Sequence, residues 1–218
     1  MTAKQEAILA ATDFSPHARH ALERAALVAQ RQAARLALLH VLPAHAIAQM
    51  RAWLGVGTPV ERGLRDEAAE RLDVQARRLQ ATAGGAVEVR LEEGPVLATT
   101  LQQAEALDAR LVVLGARGAG HLRRLTLGTT AERLMRHSSR PILVARGAPH
   151  EPYRRVLVAA DFSPWSAAAL DIARWVAPDA RLVLASVVQV PFESRMRLAG
   201  VSDADIGRYR ERARSEAT

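Results

Sequence analysis

Short apolar runs alternate with amphipathic stretches along the first two thirds of the chain. Residues 8–11, 35–42, 111–114 and 142–144 have the continuous apolar character of buried strands, and residues 87–91 alternate in polarity as a strand does. Helical spacing of apolar residues lies between them, over 61–82, 95–107 and 129–137. Ser15 and Pro16 are the residue types that begin a helix after the first strand. Residues 43–60, which contain Gly55, Gly57 and Pro59, are predicted to form a loop with at most one helical turn.

This alternation of strands and helices predicts an α/β fold: an open, parallel, five-stranded, Rossmann-like sheet with helices on both faces. Ligands of such sheets bind at the carboxyl ends of the strands, near the point where the strand order reverses. Asp13, Val41 and Gly115 follow or end the first, second and fourth predicted strands. The pattern therefore directs attention to these three positions.

An internal repeat organises the chain. Residues 8–29 match residues 156–177 at 11 of 22 positions with a constant offset of 148, including Asp-Phe-Ser-Pro at 13–16 and 161–164. The likeness resumes at 34–41 against 180–187. We therefore expect a first domain over residues 1–146, a linker over 147–152 and a partial second copy over 153–218.

The second copy contains Asp161 and Val187 as counterparts of Asp13 and Val41, but no counterpart of the later strands. No complete ligand site is expected in it. Two explanations stay open: the sequence is a fragment of a tandem protein, or strands of another chain complete the half-domain.

Composition changes this picture little. Hydrophobic residues make up 49% and charged residues 24% of the chain, which is typical of a globular protein. The net charge of +7 comes from arginines interspersed with acidic residues, as on solvated helix faces, so no nucleic-acid partner is predicted. The sequence has no cysteine, no apolar run of membrane-spanning length and no signal-peptide pattern. We expect a cytoplasmic protein without a membrane partner.

A glycine-rich segment follows the fourth predicted strand. Gly115 and Gly118 are separated by two residues, one of them Arg117, and nine residues later Gly128 and Thr129 begin a helix. Glycines allow the backbone to approach a ligand closely. A helix N-terminus offers unpaired N–H groups and a positive dipole end to an anion. The segment therefore predicts a phosphate site.

The spacing G-x2-G-x9-G-(S/T) resembles the ATP-binding signature of the universal stress protein family, whose fold is adenine nucleotide α-hydrolase-like. The flanking segments are similar as well: the strand that ends at Thr12-Asp13, the strand that ends at His40-Val41, and the final strand over 140–144. The likeness covers residues 5–146 and again 153–190. It implies a stress-response regulatory protein that binds ATP, with Mg²⁺ held through the phosphates.

The resemblance also assigns roles to individual residues. On the adenosine side, Ala11 and Thr12 would line the adenine, Asp13 would lie by the ribose, and the Val41 backbone would contact the adenine edge. The remaining predicted contacts are to the ribose and the phosphates: Gly115, Arg117 and Gly118 near the first phosphate, and Gly128, Thr129 and Thr130 around the later ones.

Simpler structural roles compete with these. Gly115 and Gly118 could serve only a tight turn, Thr129 could only cap its helix, and Asp13 could cap the helix after the first strand. His17 and His20 lie three residues apart on a helix without an evident third ligand, so no metal site is predicted.

Three functional hypotheses follow. The first is a regulatory module that holds ATP, with at most slow hydrolysis or self-phosphorylation at Thr129 or Thr130, because no water-activating carboxylate is evident nearby. The second is an interaction module of the same fold that binds no nucleotide. The third is an ATP pyrophosphatase-type enzyme, although the S-G-G-x-D-S loop of that group is missing from the sequence. The resemblance also implies that residues 142–144 pair two domains, either in a homodimer or between the domains of one chain.

Overall fold

The computed structural model of the protein describes residues 5–116, 128–187 and 191–216. The chain divides into two compact units, Met1–Pro152 and Tyr153–Thr218. No helix in these described ranges is long and apolar enough to cross a membrane.

The first unit contains the predicted five-stranded sheet. Its strands are β1 (Ala7–Ala11), β2 (Arg35–Pro43), β3 (Val87–Gly94), β4 (Ala109–Gly115) and β5 (Ile142–Ala145). All neighbours pair in parallel, in the order β3-β2-β1-β4-β5. The chain first moves outward from β1 to β3 and then crosses to β4, so the order reverses between β1 and β4. This reversal places a crevice at the carboxyl ends of those two strands.

Helices cover both faces of the sheet, as the sequence predicts. They are α1 (Pro16–Gln32), α2 (Ala44–Leu54), α3 (Pro59–Ala83), α4 (Val96–Ala106) and α5 (Thr129–His137). Helices α1 and α3 contact each other. On the opposite face, Leu9, Leu39 and Val112 pack in one buried cluster with α4 and α5. The inner strands β1, β2 and β4 are therefore largely apolar on both sides, as is usual in a parallel sheet.

Helix α2 corrects the prediction of a loop over residues 43–60. Ala44–Leu54 forms three helical turns, and Ile47 is its buried residue. The segment is rich in alanine and other helix formers, and its glycines, Gly55 and Gly57, lie only after the helix has ended. The two glycines therefore end the helix and do not prevent its formation.

The second unit begins like the first. It contains β6 (Arg155–Ala159), α6 (Pro164–Val176), β7 (Arg181–Ala185), α7 (Glu193–Leu198) and α8 (Asp203–Glu216). Strands β6 and β7 pair in parallel. Leu157, which matches the fully buried Leu9 of β1, is 70% exposed. The two-stranded sheet therefore leaves apolar surface uncovered that the first unit buries.

Candidate functional site

A cavity of about 370 Å³ opens at the carboxyl edge of the first unit's sheet, at the reversal of strand order. The structure brings together there all predicted site residues that lie in its described ranges: Ala11, Thr12, Asp13, Val41, Gly115, Gly128, Thr129 and Thr130. The other two predicted residues, Arg117 and Gly118, lie outside the described residues. Residues far apart in sequence thus converge on one cavity.

The turn from β1 to α1 forms one wall. Asp13 is exposed, and its Oδ1 accepts a hydrogen bond from the Ser15 N–H at 3.0 Å. The Ser15 hydroxyl in turn accepts from the Ala18 N–H at 3.2 Å and caps α1. Between them, Phe14 adopts a left-handed backbone with φ of 63°. Asp13 therefore has the structural role of closing this turn, while it also lines the cavity.

Thr12 is fixed by three contacts. Its N–H donates to the Leu39 carbonyl at 2.9 Å, which extends the pairing of β1 with β2 by one bond. Its hydroxyl accepts from the Phe14 N–H at 3.0 Å. Its carbonyl lies 2.8 Å from Nδ1 of His40. These contacts hold the residue before Asp13 in place.

Val41 lies on β2 beyond the end of β1. The register of the β1–β2 pair ends at Ala11 opposite Leu39, and the Leu39 carbonyl faces Thr12. Residues two apart in a strand direct their backbone groups to the same side. The N–H and C=O of Val41 therefore face the side where β1 has ended, which is the side of the cavity.

Gly115 ends β4 directly against the first turn of α1. A Cβ at this position would lie 2.9 Å from the backbone C and O of His17 and 3.0 Å from the Ala18 nitrogen. No side chain fits at such distances without movement of the helix. The close approach of α1 thus explains why a glycine occupies this position. The sequence suggested a tight turn or a ligand contact and gave no indication of this helix contact.

The N-terminus of α5 forms another wall of the cavity. Gly128 is the N-cap residue, no side chain of the described residues caps the helix there, and Thr129 and Thr130 are exposed. The Gly128 N–H donates to the Ala116 carbonyl at 2.8 Å, which fixes the start of α5 beside the end of β4. The next N–H groups of the helix are those that an α-helix leaves without an internal partner.

Several lining residues were not predicted. Apolar side chains form much of the wall, and α4 contributes two residues: Leu39, Pro43, Leu114, Leu134, Val96 and Thr100. The sequence placed α4 correctly but gave no signal that its first turns reach the cavity. His40 also lines the cavity. Its position next to the predicted site residue Val41 is the sequence feature that could have indicated this.

His40 is half-buried and packs against Phe14, with ring centroids 4.3 Å apart. Burial lowers the pKa of His40 below its ordinary value, and the hydrogen bond with the Thr12 carbonyl opposes that effect. The imidazole is therefore neutral at neutral pH. Because a carbonyl accepts only, the proton of this neutral ring lies on Nδ1.

The described lining of the cavity is mainly apolar and contains few titratable groups. Among its described lining residues, Asp13 and His40 are the titratable ones, and they lie at the end formed by β1 and β2. No group of three or more metal-ligating acidic or histidine side chains occurs among the residues that the structure describes. An apolar slot next to the N-terminus of a helix suits a flat apolar ligand group joined to an anion.

The fold and the cavity together define an open, doubly wound α/β protein with a ligand-sized cavity at its switch point. Residues 5–146 match the model of the universal stress protein family. The chain belongs to that family, as its sequence motif predicted.

Three known proteins illustrate the likeness. A universal stress protein of Mycolicibacterium smegmatis is 30% identical over 173 residues, which is 76% of this chain and 57% of that relative. A universal stress protein from Archaeoglobus fulgidus has a TM-score of 0.66 at 22% identity, over 90% of this chain and 73% of that one. UspA from Lactobacillus plantarum has a TM-score of 0.53 at 22% identity, over 66% of this chain and 100% of its own. At these identities the two structures support the fold alone.

Proposed function

We propose that the first unit is a stress-response regulatory module that binds ATP in the cavity at the carboxyl edge of its sheet. One observation carries the proposal: the described residues of the glycine signature and the residues at the ends of β1 and β2 line the same cavity, although 117 positions separate Asp13 from Thr130. ATP, its Mg²⁺ and the cytoplasmic location are parts of this proposal.

The adenosine would occupy the end formed by β1 and β2. Leu39, Pro43 and Val96 give this end an apolar surface for the base. The outward-facing backbone N–H and C=O of Val41 supply a donor and an acceptor for the base edge. Asp13 is exposed at the rim, where its carboxylate can accept hydrogen bonds from ribose hydroxyls.

The phosphates would lie against α5. The first N–H groups of that helix, which have no partner within it, and the hydroxyls of Thr129 and Thr130 are donors of the kind that phosphate oxygens accept. Glu132, the acidic residue of that turn, is paired with Arg136 at 2.7 Å. Mg²⁺ would be held chiefly by the phosphates, because the described lining contains one carboxylate, Asp13, and that group lies at the adenosine end. The same placement favours slow hydrolysis at most.

Calorimetric titration of the full chain with ATP and MgCl₂ tests the proposal. Gly128 has φ of −67° and lines the cavity, so Gly128→Val adds bulk there without forcing the backbone. We expect saturable binding by the wild type and at least a tenfold loss in Gly128→Val. Gly85→Val is the matched control, since nothing lies within 4 Å of a Cβ at that exposed glycine.

Two results contradict the proposal in different ways. Absence of binding at millimolar ATP favours the nucleotide-independent interaction module. Turnover on the order of 10 s⁻¹, an ordinary enzyme rate, favours the hydrolase hypothesis.

We further infer that two copies of the chain pair through β5. This strand is the edge of the sheet, bonded to β4 on one side, and its residues Ile142, Leu143 and Val144 are half-buried. An apolar edge strand is a template for pairing with another strand. Sedimentation equilibrium of the full chain should give twice the chain mass at micromolar concentration, and a monomer at all concentrations contradicts the inference.

A further inference from the structure

His40 joins the two residues that stand directly before the proposed adenosine contacts. Its Nδ1 is 2.8 Å from the carbonyl of Thr12, which precedes Asp13, while His40 itself precedes Val41. A single side-chain hydrogen bond thus links the end of β1 to the end of β2, across 28 positions of sequence, at the rim of the cavity.

A stack of side chains holds the imidazole in this position. The Phe14 ring packs on His40 at 4.3 Å, and the Arg71 guanidinium of α3 lies 4.2 Å from the centroid of the Phe14 ring. Phe14 also packs on the buried cluster of Leu42, Ile47 and Ala68. The histidine is therefore held by the Thr12 carbonyl and by Phe14 in the entry turn of α1, and α3 contacts the other partner of the stack, Phe14.

The second unit provides an internal comparison. Phe162 has φ of 60°, and the Ser163 N–H donates to Oδ1 of Asp161 at 3.0 Å, so the turn after β6 repeats the turn after β1. In that unit, however, Ala160 and Ser186 occupy the positions of Thr12 and His40, and Phe162 is 68% exposed. The turn itself consequently needs neither the histidine nor the stack.

The geometry points to His40 as a positioning residue of the cavity: its Nδ1–H holds the Thr12 carbonyl and so sets the separation of Asp13 from Val41. This inference rests on the proposed nucleotide function. The pairing of β1 with β2 extends over five registered residue pairs and the Thr12–Leu39 bond without His40. Loss of the imidazole should therefore loosen the rim much more than it destabilises the sheet.

The experiment compares two substitutions in the full chain. His40→Ser introduces the residue of the second unit and removes the donor, whereas His40→Asn keeps an N–H donor near the position of Nδ1. His45→Ser is the control, because His45 is an exposed residue of α2. Each variant is titrated with ATP and MgCl₂, and its thermal midpoint is measured without nucleotide.

We expect His40→Ser to bind ATP about three- to tenfold more weakly than the wild type, the range that one lost hydrogen bond corresponds to. His40→Asn should restore the affinity to within about twofold, and His45→Ser should leave it unchanged. Equal affinities of His40→Ser and the wild type overturn the inference. So does an affinity loss in His40→Asn as large as that in His40→Ser, since the donor would then not be the cause.

Nitrogen-15 NMR of the imidazole supplies a readout that needs no nucleotide. The inference requires the Nδ1–H tautomer for His40, and an Nε2–H tautomer overturns it even if every titration agrees. Failure of the wild type to bind ATP contradicts the proposed function itself. If the wild type binds ATP but His40 has the Nε2–H tautomer, or the variants do not show the expected affinities, only the inference about His40 fails. Failure of the inference is therefore distinguishable from failure of the proposed function.

Discussion

Replacement of Gly115 by alanine tests whether the close approach of α1 to β4 determines the residue at this position. The added Cβ would lie 2.9 Å from His17 C and O, whereas ordinary contacts of a Cβ begin near 3.4 Å. The obstructing atoms belong to backbone in the first turn of α1, so no side-chain rotation can relieve the contact. That turn is also fixed by the Ser15 cap. The helix or the end of β4 must therefore move by about half an ångström.

Overpacking of this kind lowers stability by about 1–3 kcal/mol. We expect Gly115→Ala to lose about 2 kcal/mol of unfolding free energy, measured by urea denaturation and by hydrogen exchange of the β1 and β4 amides, which report on the first unit. Gly63→Ala is the matched control. Gly63 is exposed within α3 with nothing within 4 Å of a Cβ, so alanine there should stabilise the protein by about 0.5–1 kcal/mol.

A particular result would refute the reasoning. If Gly115→Ala unfolds within about 0.3 kcal/mol of the wild type while Gly63→Ala shows its gain, helix approach does not require the glycine. The approach of a ligand to the backbone would then be the better explanation.

Three further predictions follow from contacts in the two units. Ser15→Ala removes the cap of α1 and should cost about 1 kcal/mol, seen as faster exchange of the β1 amides, whereas Ser163→Ala, which removes the same cap from α6, should leave those amides unchanged. Because burial lowers the pKa of His40 below 6.5, the unfolded chain takes up a proton before the folded chain does, so stability falls as the pH drops below about 6.5. Urea denaturation at pH 7.5 and pH 5 should show a steeper fall for the wild type than for His40→Asn, and parallel profiles contradict the assignment. Arg140 contacts Glu105 and Asp108 at 2.7 Å each, whereas Arg136 pairs with Glu132 at 2.7 Å on the exposed face of α5. Arg140→Lys should therefore lower the thermal midpoint more than Arg136→Lys.

The sequence predicted the fold because each element carries its own local signals. Ser15 and Pro16 begin α1, and Gly84 ends α3 in a left-handed conformation. The four apolar runs and the alternating segment over 87–91 form the five strands. The prediction of a loop at α2 is wrong, because glycines that follow a helix-forming segment end the helix rather than prevent it. Local signals therefore located the strands better than they resolved a short helix beside a glycine-rich turn.

The candidate site was predictable where it depends on a spaced motif and on strand ends. Gly128 and Thr129 were found from the glycine spacing, and Asp13 and Val41 from the positions where strands stop. The contact between His40 and Thr12 was not predictable, because it depends on the register of β1 against β2 and on the packing of Phe14. The requirement for glycine at position 115 was likewise not predictable, because it depends on how closely α1 packs against the end of β4.

The two copies of Asp-Phe-Ser-Pro show which features of the site come from the local sequence and which come from tertiary structure. Both turns have a left-handed phenylalanine, an aspartate that accepts from the serine N–H, and a serine that caps the next helix. The four shared residues therefore form the same turn in both units. In the first unit β4, α4 and α5 stand beside that turn and enclose a cavity, and His40 contacts it; among the described residues of the second unit, Ser186 stands at the histidine position. A matching motif thus identifies the turn, whereas the ligand site depends on the elements that the rest of the fold brings to it.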